Sequence, residues 1–250
     1  MKYISLKDLE NEIYVFDESD KLCPRCSYPL DIINPCLGCT IFHAEKNKGV
    51  TGGKIYFDKI LSVGTYSKLK KSEKPAKQSK DIMNWLVYSY KKDEKYIPFC
   101  VELLKTKILN FLAYSGKSIS EVILCAMPDH PKEVYKKADL LAENLAKELN
   151  LEFSPILNKT RETRKQHNLN LLKEKFENVK GAYSVNEQFL GKIKDKTVFL
   201  IDDVVTSMAT TNECSRILKD AGAKEIFVFS LGRTVLPEKK EGKWTFMTLF

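Results

Sequence analysis

The sequence predicts an α/β protein built on a doubly wound parallel sheet, preceded by a small cysteine-bearing element. Three observations carry this expectation. Apolar runs recur at 122–127, 198–201 and 226–231, the last broken by Ser230 alone, as expected of strands buried on both faces. Amphipathic helical stretches alternate with them, the pattern of strand–helix–strand units. Ahead of these, Cys23, Cys26, Cys36 and Cys39 form two C-x2-C pairs nine residues apart.

The elements follow in order. Residues 1–50 hold the cysteine pairs and little else able to form a core, with Gly49 to Gly53 as an exit linker. With no export signal ahead of it, C-x2-C…C-x2-C reads as a closed tetrahedral structural Zn²⁺ site rather than a disulfide framework. Four buried thiols without metal are the alternative. Residues 54–66 have short β character at Ile55-Tyr56-Phe57 and Ile60-Leu61-Ser62-Val63, and 67–80 read as a lysine-rich loop around Pro75. Helices are expected at 80–92 and 98–115. A buried strand then ends at Pro128, and Pro131 suits the first turn of a helix reaching Asn150. A short strand at 153–157 and a polar segment at 158–180 precede the strand 197–204. A helix over 208–220 stops at Ala221-Gly222-Ala223, the strand 226–231 follows, and 244–250 read as a terminal edge strand. The division expected is a zinc element at 1–50, a hood-like linker region with a lysine-rich insertion at 51–118, and an α/β domain at 119–250.

With 43% hydrophobic and 30% charged residues, the composition is that of a soluble globular protein. No apolar run reaches the ~18 residues of a membrane span, so no membrane insertion is expected. Residues 1–12 lack a signal-peptide core, which makes the cytoplasm the expected location. The net charge of +8 is uneven: residues 67–95 hold nine lysines against four acids. A second basic stretch carries Arg161, Arg164, Lys165, Lys173 and Lys175. Such runs attract polyanions or form solvated faces. Cys100, Cys125 and Cys214 sit in apolar or helical sequence and read as small buried hydrophobes.

The stretch richest in chemistry is Val198-Phe199-Leu200-Ile201-Asp202-Asp203-Val204-Val205-Thr206-Ser207-Met208-Ala209-Thr210. An apolar strand runs into two carboxylates, a hydroxyl-rich turn and a helix start. Ligands of open α/β sheets bind beyond the carboxyl ends of the strands, and the N–H groups opening a helix favour an anion. Carboxylates suit sugar hydroxyls and the turn suits a phosphate, so the pattern points to a phosphorylated sugar. An ordinary strand–loop–helix with a solvated acidic pair is the alternative.

This stretch resembles the signature of the type I phosphoribosyltransferases. The resemblance implies their fold and the ligand phosphoribosyl pyrophosphate (PRPP), accompanied by Mg²⁺. Asp202 and Asp203 would take the ribose hydroxyls, and Thr206, Ser207, Met208, Ala209 and Thr210 the 5′-phosphate. Within that superfamily the chain looks most like the ComF branch, associated with DNA uptake, which carries a four-cysteine zinc element ahead of its transferase domain. Arg161, Gln166, Leu169 and Lys175-Phe176-Glu177-Asn178-Val179-Lys180-Gly181-Ala182-Tyr183 match a ComF segment, with lysine for its second arginine and tyrosine for phenylalanine. Met208 stands where the family has glycine, and Tyr135-Lys136-Lys137-Ala138-Asp139-Leu140 keeps only the basic character of its segment. The resemblance places the diphosphate at the loop Ala126-Met127-Pro128-Asp129-His130, with Arg161 and Arg164 over it because guanidinium groups match phosphate oxygens. It implies transfer of a phosphoribosyl group to a nitrogen nucleophile. The rival readings are a non-catalytic factor that binds single-stranded DNA or the competence machinery, and a PRPP-sensing regulator.

Overall fold

In the computed structural model, residues 23–26, 54–67, 82–129, 137–164, 169 and 172–235 are described. Apolar runs build a parallel sheet of five strands: β1 (Lys59–Ser67), β2 (Val122–Ala126), β3 (Glu152–Phe153), β6 (Thr197–Val205) and β7 (Glu225–Val235), in the order β1-β7-β6-β2-β3. All four pairings are parallel. Between β3 and β6 the chain forms a separate antiparallel ribbon of β4 (Leu157–Lys159) and β5 (Tyr183–Val185).

Side chains alternate across the central strands, and both faces are covered, as the apolar runs require. Phe199, Ile201, Phe227 and Phe229 point into one core, with α1 (Ile82–Tyr90), α2 (Ile97–Ser115) and α3 (Lys137–Leu149). Phe111 of α2 meets the rings of Phe199, Phe227 and Phe229 at centroid distances of 5.9, 4.6 and 5.7 Å. Val198, Leu200, Ile226 and Val228 face the other core. That core holds Cys214 and Leu218 of α6 (Ala209–Asp220), and Val179 of α4 (Leu172–Val179). A last short helix, α5 (Leu190–Ile193), leads into β6.

Helix ends follow local chemistry. Pro98 lies in the first turn of α2, where its missing N–H costs nothing. Gly116 closes that helix at φ 66°, the left-handed conformation glycine takes without a Cβ penalty.

Several sequence expectations meet a different outcome. Residues 59–67, where short β character was expected at 60–63, form a strand of the main sheet rather than a separate element, paired with β7 from Lys59↔Phe227 to Ser67↔Val235. Close approach makes that pairing possible: Gly64 lies opposite Gly232, where an added Cβ would stand 2.7 Å from Tyr66 Cβ. The polar stretch 158–180 contains β4 and α4 rather than loop alone. Cys100, Cys125 and Cys214 are fully buried, as their apolar surroundings suggested. The lysine-rich 68–80, Cys36, Cys39 and the strand expected at 244–250 lie outside the described residues. No described helix is long and apolar enough to cross a membrane.

Candidate functional site

A cavity of about 480 Å³ opens beyond the carboxyl ends of β2 and β6, the place where open parallel sheets bind ligands. Met127, Pro128 and Asp129 border it from the loop after β2, Asp202 and Asp203 from the end of β6, and Thr210 from the first turn of α6. Lys159, Thr163 and Arg164 close one side, Tyr183 another, and Tyr88 to Lys92 the mouth.

The two acids differ although adjacent. Strand alternation sends them different ways. Burial pushes the Asp202 carboxyl up to about 7, with the nearby Asp129 charge adding to the effect and Lys91 opposing it. Asp202 Oδ1 accepts the Asp203 N–H at 2.8 Å, and Asp203 Oδ1 accepts the Val204 N–H at 2.6 Å. The other oxygen of Asp203 forms an ion pair with Lys91.

The loop at 206–210 answers the question raised by Met208. Its backbone takes φ 62°, the left-handed conformation that glycine adopts freely. Its side chain is buried, only 4% exposed, in the core beneath. The thioether therefore packs below the loop, and the methionine reproduces the backbone turn at some conformational cost. Thr210 lines the cavity and hydrogen-bonds to Tyr183, whose phenol burial holds well above its usual pKa. Thr206, Ser207, Met208 and Ala209 do not line the cavity. Thr206 is exposed and shares a 2.8 Å hydroxyl contact with Thr234, while the Ser207 hydroxyl accepts the Ala209 N–H at 3.4 Å.

Beneath the same loop lies a residue that sequence reasoning passed over. Arg233 of β7 is 1% exposed. It donates to the carbonyls of Val205 at 2.9 Å, Thr206 at 2.6 Å and Cys26 at 3.1 Å. One guanidinium thus satisfies the carbonyls that end β6 and holds the Cys23–Cys26 turn against the sheet. Arg25 O accepts the Ile60 N–H at 2.8 Å on the same edge. Cys23 and Cys26 are both buried on this tight turn, which fits two thiolates converging on one metal. The other two members of the set, Cys36 and Cys39, are not described. Among the described residues, no three His, Cys, Asp or Glu side chains converge on a metal position.

The two arginines expected over a diphosphate part company. Arg164 lines the cavity. Arg161 does not: its guanidinium donates to Asn178 O at 3.1 Å and Lys180 O at 2.8 Å, satisfying carbonyls at the end of α4. The Asn178 side chain completes the arrangement, accepting Arg164 N–H at 2.9 Å and donating to Arg164 O at 2.8 Å. Gly181 turns at φ 65° and donates its N–H to Glu213 of α6 at 2.8 Å. Ala182 is fully buried and Tyr183 reaches the cavity wall. The Asn178…Gly181-Ala182-Tyr183 segment therefore holds residues 161–164 at the cavity edge. Lys165, Gln166 and His130 lie outside the described residues.

Lys91, Lys92, Lys159, Lys137 and Asp129 complete the charged lining. Asp129 lies in the loop expected at the diphosphate, whereas the four lysines were assigned no ligand. Lys159 and Asp129 stand at element ends facing the cavity, a position legible once the sheet order is known.

No family model matches the chain. Competence protein F of Haemophilus influenzae (strain ATCC 51907 / DSM 11121 / KW20 / Rd) is 33% identical over 100 residues, 40% of this chain and 43% of that protein. The transcriptional regulator GfcR of Methanosphaera stadtmanae (strain ATCC 43021 / DSM 3091 / JCM 11832 / MCB-3) is 42% identical over 66 residues, 26% of this chain and 29% of the regulator. The chain thus matches less than half the length of either curated relative. A phosphoribosylpyrophosphate synthetase structure from Mycobacterium smegmatis aligns with 51% of this chain and 33% of its own, at 18% identity and TM-score 0.31, a likeness too slight to carry weight. The fold is a five-stranded parallel sheet covered by helices, with an acidic pair at the end of β6 and a hydroxyl-bearing turn into α6. Over those 100 residues the chain is similar to competence protein F.

Proposed function

We propose that the cavity binds PRPP. One observation carries the reading: Asp202, Asp203, Thr210, Lys159 and Arg164 border a single cavity at the carboxyl end of the sheet. Asp202 and Asp203 orient the ribose hydroxyls, and Thr210, the residue of the 206–210 turn that lines the cavity, receives the 5′-phosphate at the start of α6. Lys159 and Arg164 face the diphosphate, while Arg161 positions Arg164 by bracing the end of α4. Mg²⁺ would accompany the diphosphate and supply charge neutralisation. Cys23, Cys26, Cys36 and Cys39 would hold a structural Zn²⁺.

The chemistry that follows is transfer of the phosphoribosyl group to a nitrogen nucleophile. The bond from C1 to the diphosphate oxygen breaks, a bond from C1 to nitrogen forms, and the nucleophile loses a proton. No covalent nucleophile is needed from the protein: it holds the sugar, neutralises the leaving diphosphate and excludes water. The similarity to competence protein F supports a role in DNA uptake. The regulator GfcR favours a second reading, in which the ligand is sensed without turnover, and the +8 charge is compatible with nucleic acid as a partner.

Calorimetric titration of PRPP with Mg²⁺ tests the site. Wild type binds, and Asp203→Asn binds at least about tenfold more weakly, since hydrogen bonds to a charged acceptor are worth ~1.5–3 kcal/mol. No heat of binding to wild type would overturn the proposal. Pyrophosphate release in the presence of candidate amines separates transfer from sensing.

A further inference from the structure

The ion pair between Lys91 and Asp203 brings together residues from distant parts of the chain, at the centre of the candidate site. Lys91 follows directly on α1. The helix end fixes its place: Lys91 N–H donates to Val87 O, and the N–H groups of Lys92 and Asp93 both donate to Ser89 O at 2.9 Å. Val87 and Tyr90, 1% and 2% exposed, anchor the same turn in the core. The backbone is therefore held, and the Lys91 side chain extends across the mouth with 44% of its surface exposed, while Asp203 keeps 22%.

The charges around the cavity make the role of this pair specific. Lys91, Lys92, Lys137, Lys159 and Arg164 face Asp129, Asp202 and Asp203. Asp129 Oδ2 is engaged by the Ala138 N–H at 3.0 Å, and one oxygen each of Asp202 and Asp203 by the following backbone N–H. The second oxygen of Asp203 is the one Lys91 meets. A bare carboxylate there would repel a diphosphate sugar, and would invite a divalent cation.

We propose that Lys91 is a tethered counter-ion for Asp203, so that the chain itself supplies part of the positive charge a diphosphate sugar requires here, and a divalent cation competes with this lysine for the same oxygen. The inference rests on the reading of the cavity as a PRPP site and names a residue that sets its cation requirement. Lys91 is a positioning residue: it acts through Asp203, holding the carboxylate toward the ligand and removing its repulsion. Arginine would preserve the charge, whereas methionine would preserve only the aliphatic stem.

Two measurements test it on the full chain. In the first, Mn²⁺ affinity of the ligand-free protein is read by electron paramagnetic resonance for wild type, Lys91→Met and Lys91→Arg. Tighter Mn²⁺ binding in Lys91→Met, by about tenfold or more from the loss of one adjacent positive charge, is expected, with Lys91→Arg close to wild type. In the second, PRPP affinity is titrated in EDTA and in excess Mg²⁺. Lys91→Met should lose about tenfold more affinity than wild type when Mg²⁺ is withdrawn, and recover toward wild type in excess Mg²⁺. Unchanged Mn²⁺ affinity together with an unchanged Mg²⁺ dependence in Lys91→Met would overturn the proposal. Failure of wild type to bind PRPP even in excess Mg²⁺ would instead overturn the reading of the cavity, and the Mn²⁺ arm would still decide the role of Lys91.

Discussion

Two segments reach the cavity, the turn 206–210 through Thr210 and the segment 161–164 through Thr163 and Arg164, and they are held in opposite ways. The loop at 206–210 is backed from within: Arg233, 1% exposed, binds two of its preceding carbonyls, and Met208 and Ala209 are buried in the core below. The segment 161–164 is held from outside, through hydrogen bonds of Arg161 and Asn178 that are exposed to solvent. Water can replace the exposed bonds at little cost, whereas a buried carbonyl that loses its donor has no substitute. The comparison separates a rigid side from an adjustable one; under the proposed reading the first would seat the sugar phosphate and the second would meet the diphosphate.

Arg233→Met offers the harshest way to break the rigid half. It leaves carbonyls at Cys26, Val205 and Thr206 without this donor, and urea unfolding should show a loss of about 3 kcal/mol or more at ~1–3 kcal/mol per stranded group. A loss below about 1 kcal/mol would mean that the loop is held by something else. Met208→Gly probes the same half more gently. Removing a buried side chain of this size costs ~2–5 kcal/mol, and relief of the left-handed backbone returns ~1–2, so a net loss of about 2 kcal/mol, between about 0 and 4, is expected with PRPP affinity retained. Lost affinity in that variant would place the thioether at the ligand rather than beneath the loop. Arg161→Ala on the adjustable half should have the smallest effect on stability, about 1 kcal/mol or less. It should weaken PRPP only a few-fold, because Arg164 keeps its clasp on Asn178. A loss as large as that of Arg164→Ala, measured in the same titration, would put both guanidinium groups on the ligand.

The parts legible in the sequence were those where one local signal dictates one outcome. The apolar run ending in Asp202 and Asp203 specified a doubly buried strand with acids at its ligand-binding end, and 197–205 form that strand. The Asn178…Gly181-Ala182-Tyr183 segment was recognised by resemblance, yet its work became visible only when Asn178 and Arg164 were seen to exchange two hydrogen bonds. Arg161 was assigned by what guanidinium groups bind well, and backbone carbonyls at a helix end compete for the same geometry as phosphate oxygens. Met208 stands where glycine was expected, and the core beneath the turn, which no local window shows, accommodates its side chain. The β character of 54–66 was legible but its place in the main sheet was not, and Lys91 escaped, for a common reason: their partners, β7 and Asp203, lie far along the chain. Tertiary pairing decided them, and no local window contains that information.

The bond from Arg233 to the Cys26 carbonyl spans 207 residues, and among the described residues β1 pairs with β7 alone. During synthesis, then, the cysteine turn and β1 emerge long before the strand that receives them. Until β7 leaves the ribosome, β6 presents an open edge, the kind of surface on which nascent chains misassemble. The loop after β6 gains its backing at the same moment. Arrival of one strand thus closes the sheet, docks the cysteine turn and stiffens the seat for the ligand, which makes the maturing of this site a late event in the life of the chain.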